Sequence, residues 1–399
     1  MRITTEEVAR RLGIDAARVD ELVRAGAIEP PEPGLFEPDD LHRVRLLVAF
    51  QSAGVPIDAL VAAYRTGKVN FAFYDQLHPP PGPASSRAYA AFRSSLCERR
   101  DLLPRVFAAL GIAEPDAETY LSEADEELLA DLVDIVDTTG QPEIALRALR
   151  MFGGGAERTA DAALGAYEEA FVAQGESNVA FGEEEFLDRM LRPWARLARR
   201  SGDLAGWLTT RHMTRAIDEY SVRQTEGVLE DVGLLPERDP QPPGVAFVDL
   251  TGFTHLTETI GDEAAAGLAL RLGDVTIEVV RPFDGRLVKL LGDGALVRFE
   301  SAVAAVDGTL ALLDALPAAG LPTGHAGVAA GPLILRDGDV FGRTVNLAAR
   351  LSDAATDGTV LVPASLVPAL PGDRFAFGDG GAVALQGIGR VDVVTVRRA

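Results

Sequence analysis

The amino-acid sequence changes character at a proline-rich stretch, residues 239–244, that no helix or sheet interior would accommodate. Before this stretch, apolar residues recur every three to four positions, as they do in amphipathic helices. After it, short apolar runs rich in valine alternate with helical patterns, which is typical of one sheet with helices on its face. The sequence therefore predicts an all-α N-terminal half joined to an α+β C-terminal domain.

A second proline-rich stretch, residues 78–83, divides the N-terminal half. Because clustered prolines remove amide donors and stiffen the backbone, both stretches are interpreted as linkers. Three segments result: residues 1–77, 84–238 and 244–399. A chain of 399 residues has room for two or three domains of roughly 100–200 residues each.

Composition excludes several classes of protein. The chain has 38 Lys and Arg against 60 Asp and Glu, a net charge of −22, which argues against a main role on nucleic acid or anionic lipid. Its apolar fraction of 47% is too high for a disordered chain. No apolar run approaches the roughly 20 residues of a membrane span, and the N-terminus does not have the pattern of a signal peptide. The single cysteine, Cys97, cannot form an internal disulfide, which fits a reducing compartment. We therefore expect a cytoplasmic protein, and the lack of a membrane span predicts no membrane partner.

The first segment has a helical pattern that starts with Thr4 as N-cap and Glu7 at the third helical position. Further helices are predicted at residues 19–25, 38–52 and 56–65. Residues 1–70 resemble the helix-turn-helix start of MerR-type regulators, with residues 35–41 in the place of their wing and third helix. This stretch nevertheless holds more acidic than basic side chains, and phosphate contact needs a basic stripe. We therefore interpret it as a regulatory or dimerisation surface rather than a DNA-binding one.

The second segment is predicted to be helical, with breaks at glycines. The predicted helices cover residues 88–110, 117–138, 143–151, 160–174, 184–201 and 204–235, with breaks at Gly140, residues 153–155 and Gly175. In the last helix, Met213, Ile217 and Tyr220 form a short apolar seam. This helix is interpreted either as an amphipathic core helix or as a helix that transmits a signal to the next domain. His212 beside the seam is either structural or a pH sensor, since histidine titrates near neutrality.

The third segment mixes strand and helix patterns. The predicted strands cover residues 245–250, 286–291, 295–299, 323–328, 360–362 and 391–396, and the predicted helices cover residues 257–280, 301–316 and 343–353. Residues 290–295 read LLGDGA, in which glycines on both sides of Asp293 predict a hairpin turn.

Two acidic residues of the third segment lie where strands end. Asp249 closes a buried strand, and the small residues 251–254 that follow it can cradle phosphate with exposed amides. Asp293 lies in the hairpin turn. Two carboxylates without a Cys or His cluster suit a hard, oxygen-liganded cation such as Mg²⁺ or Mn²⁺.

Four blocks of the third segment, in the same order, resemble the catalytic domain of the class III nucleotidyl cyclases. They are residues 247–254 (FVDLTGFT), 288–293 (VKLLGD), 327–331 (GVAAG) and 339–350 (DVFGRTVNLAAR). Together they span nearly all of the segment, and four ordered blocks are far more specific than one motif. The resemblance implies an α+β cyclase domain that converts ATP into cyclic AMP and pyrophosphate.

The resemblance implies a metal and phosphate site. Asp249 and Asp293 would ligate two Mg²⁺ or Mn²⁺ ions per active site, with the backbone carbonyl of Leu250 as a further ligand. The turn that would bind the phosphates consists of Thr251, Gly252, Phe253 and Thr254. The family often has a basic phosphate contact where this chain carries the neutral Gln386. Two alternatives stay open: Arg390 substitutes for this contact, or the triphosphate is held more loosely.

The resemblance also implies how the base and the reacting groups are held. Lys289 and Asp339 would recognise adenine. Asn346 would orient the ribose and the reacting oxygen, and Arg350 would stabilise charge on the transferring phosphoryl group. Lys289 is one of only two lysines in the chain, which supports retention of the site because ammonium and guanidinium groups are not interchangeable. Guanine-selective members usually carry Glu and Cys at the adenine positions, so this pair favours ATP.

In the implied reaction, the ribose 3′-hydroxyl attacks the α-phosphorus in line and pyrophosphate leaves. Two cations about 3.5–4 Å apart would clamp the attacking and leaving oxygens. In the family, one chain supplies the metal carboxylates and its partner supplies the Lys, Asp, Asn and Arg. All these residues lie on this chain, so we expect a homodimer with two equivalent sites and an inactive monomer.

The whole layout resembles that of actinobacterial adenylyl cyclases in which a helical N-terminal half restrains the catalytic half. A proton or a small lipid-like apolar molecule is then the expected effector, and the helix at residues 204–232 is the expected lever. Two alternatives stay open. One is a DNA-binding regulator whose C-terminal domain binds nucleotide without turnover, and the other is a guanylyl cyclase.

Overall fold

The computed structural model describes residues 2–37, 40–66, 85–172, 184–236 and 241–399. Packing divides the chain into two units, Met1–Thr225 and Glu226–Ala399. The linker predicted at residues 78–83 lies outside the described residues, and the second linker is described only from residue 241 onward. Within the described residues, no helix has both the length and the apolar composition that a membrane crossing requires.

Helices predominate in the described part of the first unit. They are α1 (Thr5–Leu12), α2 (Ala16–Arg24), α3 (Asp40–Ser52), α4 (Ile57–Arg65), α5 (Tyr89–Ser95), α6 (Leu103–Leu110), α7 (Glu123–Thr138), α8 (Pro142–Val172) and α9 (Glu184–Asp231), whose last residues belong to the second unit. Thr4 caps α1 as predicted, because its Oγ1 accepts a hydrogen bond of 3.2 Å from the Glu7 N–H. The all-α prediction is not confirmed, because two short strands, β1 (Ile3–Thr4) and β2 (Leu35–Phe36), pair antiparallel and bury Phe36 completely.

Glycines in the second segment mark helix ends less often than the sequence predicts. Residues 153–155 lie inside the continuous helix α8 instead of breaking it. Gly153 packs so closely on α6 that a Cβ there would lie 2.3 Å from the Leu110 carbonyl oxygen, so this glycine serves helix packing. Gly140 ends α7 as predicted, with a positive φ of 65°, whereas Gly175 lies outside the described residues.

Other helix boundaries also differ from the prediction. The helix predicted over residues 88–110 is divided into α5, a 3₁₀ helix at Cys97–Asp101 and α6. The two helices predicted at residues 184–201 and 204–235 form the single helix α9. The polar residues between the two predicted helices do not end α9, because the backbone hydrogen bonds of the helix continue through them.

The apolar seam on α9 does not belong to a core. Met213, Ile217 and Tyr220 are 52%, 57% and 57% exposed, and His212 is exposed as well. The interpretation of this helix as an ordinary core helix is therefore wrong. A transmitting role for it stays a prediction.

The second unit is built on a seven-stranded sheet, and the α+β prediction for it is confirmed. The strands are β3 (Gly244–Leu250), β4 (Arg286–Leu291), β5 (Gly294–Phe299), β6 (Gly324–Ala330), β9 (Val360–Pro363), β10 (Phe375–Leu385) and β11 (Gly389–Arg398). Their order is β10-β11-β9-β6-β3-β5-β4, with β6 and β9 parallel and the other neighbours antiparallel. A separate hairpin joins β7 (Ile334–Arg336) to β8 (Asp339–Phe341).

Helices cover both faces of this sheet. α11 (Asp262–Val280) and α12 (Ala302–Ala315) pack on one face, where they share the larger apolar core. α13 (Arg343–Ala354) packs on the other face over a smaller core. The helix predicted over residues 257–280 is in fact two, α10 (Phe253–Ile260) and α11, because Gly261 between them has a φ of 87°.

Helix α13 lies unusually close to the sheet because β6 carries a glycine beneath it. A Cβ at Gly327 would come within 2.2 Å of the Ala348 carbonyl oxygen and of the Ser352 nitrogen. Any larger residue would displace the helix. Gly327 thus fixes the height of the helix that carries Asn346 and Arg350 above the sheet.

Candidate active site

Asp249 lies near the end of β3 on the sheet face that α13 covers. Side chains alternate along the strand: Phe247 packs in the core beneath α13, and Val248 packs in the core on the opposite face. The same alternation directs Asp249 toward the α13 face. Its side chain is 45% exposed, so the carboxylate is only partly removed from water.

The neighbours of Asp249 on the flanking strands differ sharply in size. It pairs with Gly294 on β5 and with His325 on β6. A Cβ at Gly294 would lie 3.0 Å from Asp249 Oδ1, so glycine leaves the room that this oxygen occupies. On the other side, His325 Nε2 lies 3.8 Å from Asp249 Oδ2.

Asp293 lies in the predicted hairpin turn, next to the end of β3. Leu291 pairs with Gly294, so the turn consists of two residues, Gly292 and Asp293. Gly292 has a φ of 66°, which this tight turn requires at its first position. The Asp293 carbonyl accepts a 3.2 Å hydrogen bond from the Leu250 N–H, which ties the turn to β3. The two predicted metal carboxylates are therefore on adjoining backbone segments.

The surroundings of Asp249 disfavour its negative charge. The pKa of its carboxyl is raised above the ordinary value, first because of burial and next because of the negative charge of Asp293. Asp353 adds to the rise, and His325 opposes it. Carboxylate oxygens in such surroundings are the donors that Mg²⁺ and Mn²⁺ prefer. Among the described residues there is no cluster of three or more His, Cys, Asp or Glu that could hold a metal, so further ligands would come from backbone, water or substrate.

Lys289 and Asp339, the predicted adenine-binding residues, are in direct contact. A bulge in β4 places Lys289 opposite Leu296, on the α13 face of the sheet. Its Nζ donates to Asp339 Oδ2 at 2.5 Å, and Asp339 Oδ1 accepts from the Val340 N–H at 2.8 Å. The Lys289 hydrogen bond is the main reason why the pKa of Asp339 is lowered. The Lys289 ammonium and the Asp339 carboxylate thus place a hydrogen-bond donor and an acceptor side by side at the edge of the sheet.

Asn346 and Arg350 lie one turn apart on α13 and line a pocket of about 480 Å³. Asp249 and Gln386 line the same pocket. Arg350 Nη1 donates to Asp353 Oδ2 at 2.8 Å, which holds the guanidinium at the pocket. Arg350 and Asp249 of one chain are therefore near each other, whereas Lys289 and Asp339 are not part of the described lining of this pocket.

The turn after β3 has the predicted form. Gly252 adopts a φ of 69° and precedes α10, whose first turn receives no capping side chain. Thr251 Oγ1 donates to Asp357 Oδ1 at 3.1 Å. Phe253 begins the helix and packs against the larger core, and the side chain of Thr254 lies outside the described ones. Phosphate binding at this turn, and metal ligation by the Leu250 carbonyl, stay predictions.

Two polar residues of the site were not predicted from the sequence. Asp353 follows Arg350 by three positions, a helical spacing that is visible in the sequence. His325 is near Asp249 only because β6 pairs with β3 in this register. No local pattern signals that pairing.

We expect Asp249→Asn to raise the stability of the metal-free protein near neutral pH and to weaken metal binding. Because the native carboxyl has a raised pKa, its charged form opposes folding above the ordinary pKa, and a neutral amide removes this effect. The gain should shrink as the pH falls through the raised pKa, since the native carboxyl then gains a proton. Melting temperatures of both proteins across this pH range test the prediction. A variant that melts below wild type near neutrality would contradict it.

Comparison with known proteins places the chain in a family. No family model matches the chain. An uncharacterised protein of Mycobacterium tuberculosis is 30% identical over 364 residues, which cover 90% of this chain and 88% of the relative. A pH-sensitive adenylate cyclase of the same organism is 30% identical over 313 residues, 75% of either chain. An adenylate cyclase of Streptomyces griseus is 28% identical over 283 residues, 70% of this chain and 67% of the relative.

The chain therefore belongs to the adenylate cyclase family. Solved structures similar to it include the adenylyl cyclase CyaB from P. aeruginosa, with 25% identity and a TM-score of 0.35 over 40% of this chain and 95% of that one. The guanylyl cyclase Cya2 has 23% identity and a TM-score of 0.34 over 39% of this chain and 91% of that one. The family assignment depends on the sequence relatives.

Proposed function

We propose that the chain is an adenylyl cyclase that converts ATP into 3′,5′-cyclic AMP and pyrophosphate. The observation that carries the proposal is the paired Lys289 and Asp339, which offer one donor and one acceptor. The ring nitrogen and exocyclic amine of adenine match this pair, and guanine presents the opposite pattern there. The relatives named adenylate cyclase support the same substrate.

In this proposal each side chain has one task. Asp249, Asp293 and the Leu250 carbonyl would hold Mg²⁺ or Mn²⁺, and the bound metal would lower the pKa of the ribose 3′-hydroxyl and neutralise the triphosphate. Asn346 holds the ribose so that this hydroxyl faces the α-phosphorus. Arg350 is positioned for the charge that grows on the phosphoryl group as pyrophosphate departs. Positioning and electrostatics account for the catalysis, and no covalent intermediate is needed.

The proposed active unit is a homodimer. Within one chain, Lys289 and Asp339 do not share the pocket of Asp249 among the described lining residues. In the proposed dimer, the base of one nucleotide contacts Lys289 and Asp339 of one copy. Its phosphates reach Asp249 and Asp293 of the other copy. The closed symmetry of a dimer then creates two equivalent sites.

Regulation by residues 1–243 is part of the proposal. The relative named as pH-sensitive supports a proton as effector, with a small apolar molecule as the alternative, and α9 is the element that would carry the signal. We expect His212→Ala to shift the pH profile of cyclic AMP formation. An unchanged profile would exclude His212 as the sensor.

A product assay tests the proposed reaction. Purified protein with Mn²⁺ should convert ATP into equimolar cyclic AMP and pyrophosphate, and ATP should be preferred over GTP in direct competition. Preferred turnover of GTP would favour the guanylyl cyclase alternative. Sequence-specific DNA binding in a gel-shift assay at low salt, with no cyclic product at any pH, would favour the DNA-binding regulator instead.

A further inference from the structure

We propose that His325 is a positioning residue for Asp249: it fixes the orientation of the carboxylate that holds the metal. The inference rests on the proposed function, because it assigns a second residue to the same metal site. His325 is not one of the residues that the cyclase motifs identify. It is placed at the site by strand pairing alone.

The two oxygens of Asp249 face different surroundings. Oδ1 lies over Gly294, and a Cβ added to this glycine would be only 3.0 Å from Oδ1. Oδ2 lies 3.8 Å from His325 Nε2. On the β5 side, Gly294 has no side chain that could contact the carboxylate. On the β6 side, the His325 imidazole limits the rotation of the carboxylate.

The imidazole is largely buried. Its side chain is only 17% exposed, whereas that of Asp249 is 45% exposed. His325 Nδ1 is buried and has no hydrogen-bond partner among the described residues. A neutral imidazole carries one N–H, and the tautomer with this proton on Nε2 directs it at Asp249 and leaves only a lone pair at the buried Nδ1. Burying a lone pair without a partner is less costly than burying an N–H without one.

The separation is longer than a hydrogen bond, and it closes with a small movement. An N–H···O bond to a carboxylate spans about 2.8 Å, so Oδ2 and Nε2 need to approach by about 1 Å. Hydrogen bonds in ligand-free active sites are often long and tighten when the ligand binds. Partners that orient a metal ligand typically change metal affinity by about 10- to 100-fold.

Paired substitutions separate positioning from simple space-filling. His325→Leu removes the N–H donor and replaces the imidazole with an apolar side chain of similar volume. His325→Gln also removes the imidazole but provides an amide N–H near the position of Nε2. Mn²⁺ binding is measured by electron paramagnetic resonance on the full chain with saturating 3′-deoxy-ATP, which lacks the attacking hydroxyl and prevents turnover. We expect His325→Leu to weaken Mn²⁺ binding by about 10- to 100-fold and His325→Gln to recover most of the loss.

The outcomes distinguish this inference from the proposed function. If Asp249→Asn binds Mn²⁺ as tightly as wild type, the metal site itself is wrong, and both proposals are overturned. If binding depends on Asp249 and His325→Leu leaves it unchanged, only the positioning role is overturned. Equal losses in His325→Leu and His325→Gln, with a matching drop in melting temperature, would show a structural role and also overturn it.

Discussion

A one-to-one mixture of Asp249→Ala and Asn346→Ala chains is expected to regain about a quarter of the wild-type cyclase activity, although each variant alone is inactive. Random pairing makes half of the dimers heterodimers. Each heterodimer combines the intact Asp249 of one copy with the intact Asn346 of the other in one site, and its second site lacks both. Cyclic AMP formation in the mixture, with heterodimers counted by native mass spectrometry, measures the recovery.

A second mixture provides the control. Asp249→Ala and Asp293→Ala remove groups from the same side of the proposed interface, so no pairing of these chains contains a complete site. We expect no recovery from them. The competing arrangement is a site within one chain, for which the pocket shared by Asp249, Asn346 and Arg350 is the structural basis. In that arrangement the first mixture stays inactive as well, and heterodimers without activity would exclude the shared site.

The double substitution Lys289→Glu with Asp339→Cys is expected to convert the nucleotide preference from ATP to GTP. The ammonium and carboxylate of the native pair present a donor and an acceptor that match adenine. The double variant presents an acceptor carboxylate in place of the donor, which matches guanine. Each mismatched polar group costs about 1–3 kcal/mol, so two of them should lower kcat/KM for ATP by about 30-fold to about 10⁴-fold. Competition between the two nucleotides, followed by product analysis, measures the change.

A single substitution controls for simple damage to the pair. Lys289→Glu alone places a carboxylate beside Asp339, and the like charges repel. We expect this variant to lose turnover of both nucleotides, whereas the double variant recovers turnover of GTP. A double variant that still prefers ATP would show that the base is read elsewhere.

The strands that position the proposed metal ligands Asp249 and Asp293 were predictable from the sequence. β4 was predicted with its observed ends, and β3 and β5 each begin only one residue earlier than predicted. The reason is local: uninterrupted apolar runs are bounded by glycine turns, and Gly292 next to Asp293 allows only a tight hairpin. The positions of Asp249 and Asp293 at strand ends therefore follow from residues close to them in the chain.

Features that depend on partners distant in sequence were not predictable. The three glycines within α8 look like a helix end in the sequence, and the close approach of Leu110, which requires a glycine at position 153, is visible only in the fold. β10 was not predicted because glycines and a bulge interrupt its alternation of apolar and polar residues. β7 was not predicted because it is short and fully exposed. His325 was not predicted for the same reason, since its role depends on the register between β6 and β3.

A structure of the protein with Mn²⁺ and 3′-deoxy-ATP tests the central claim most directly, because it shows which chain contacts each end of the nucleotide. The account predicts metal bound to Asp249 and Asp293 of one copy, and adenine bound between Lys289 and Asp339 of the other. A nucleotide contained within a single chain, or metal bound away from Asp249, would contradict it.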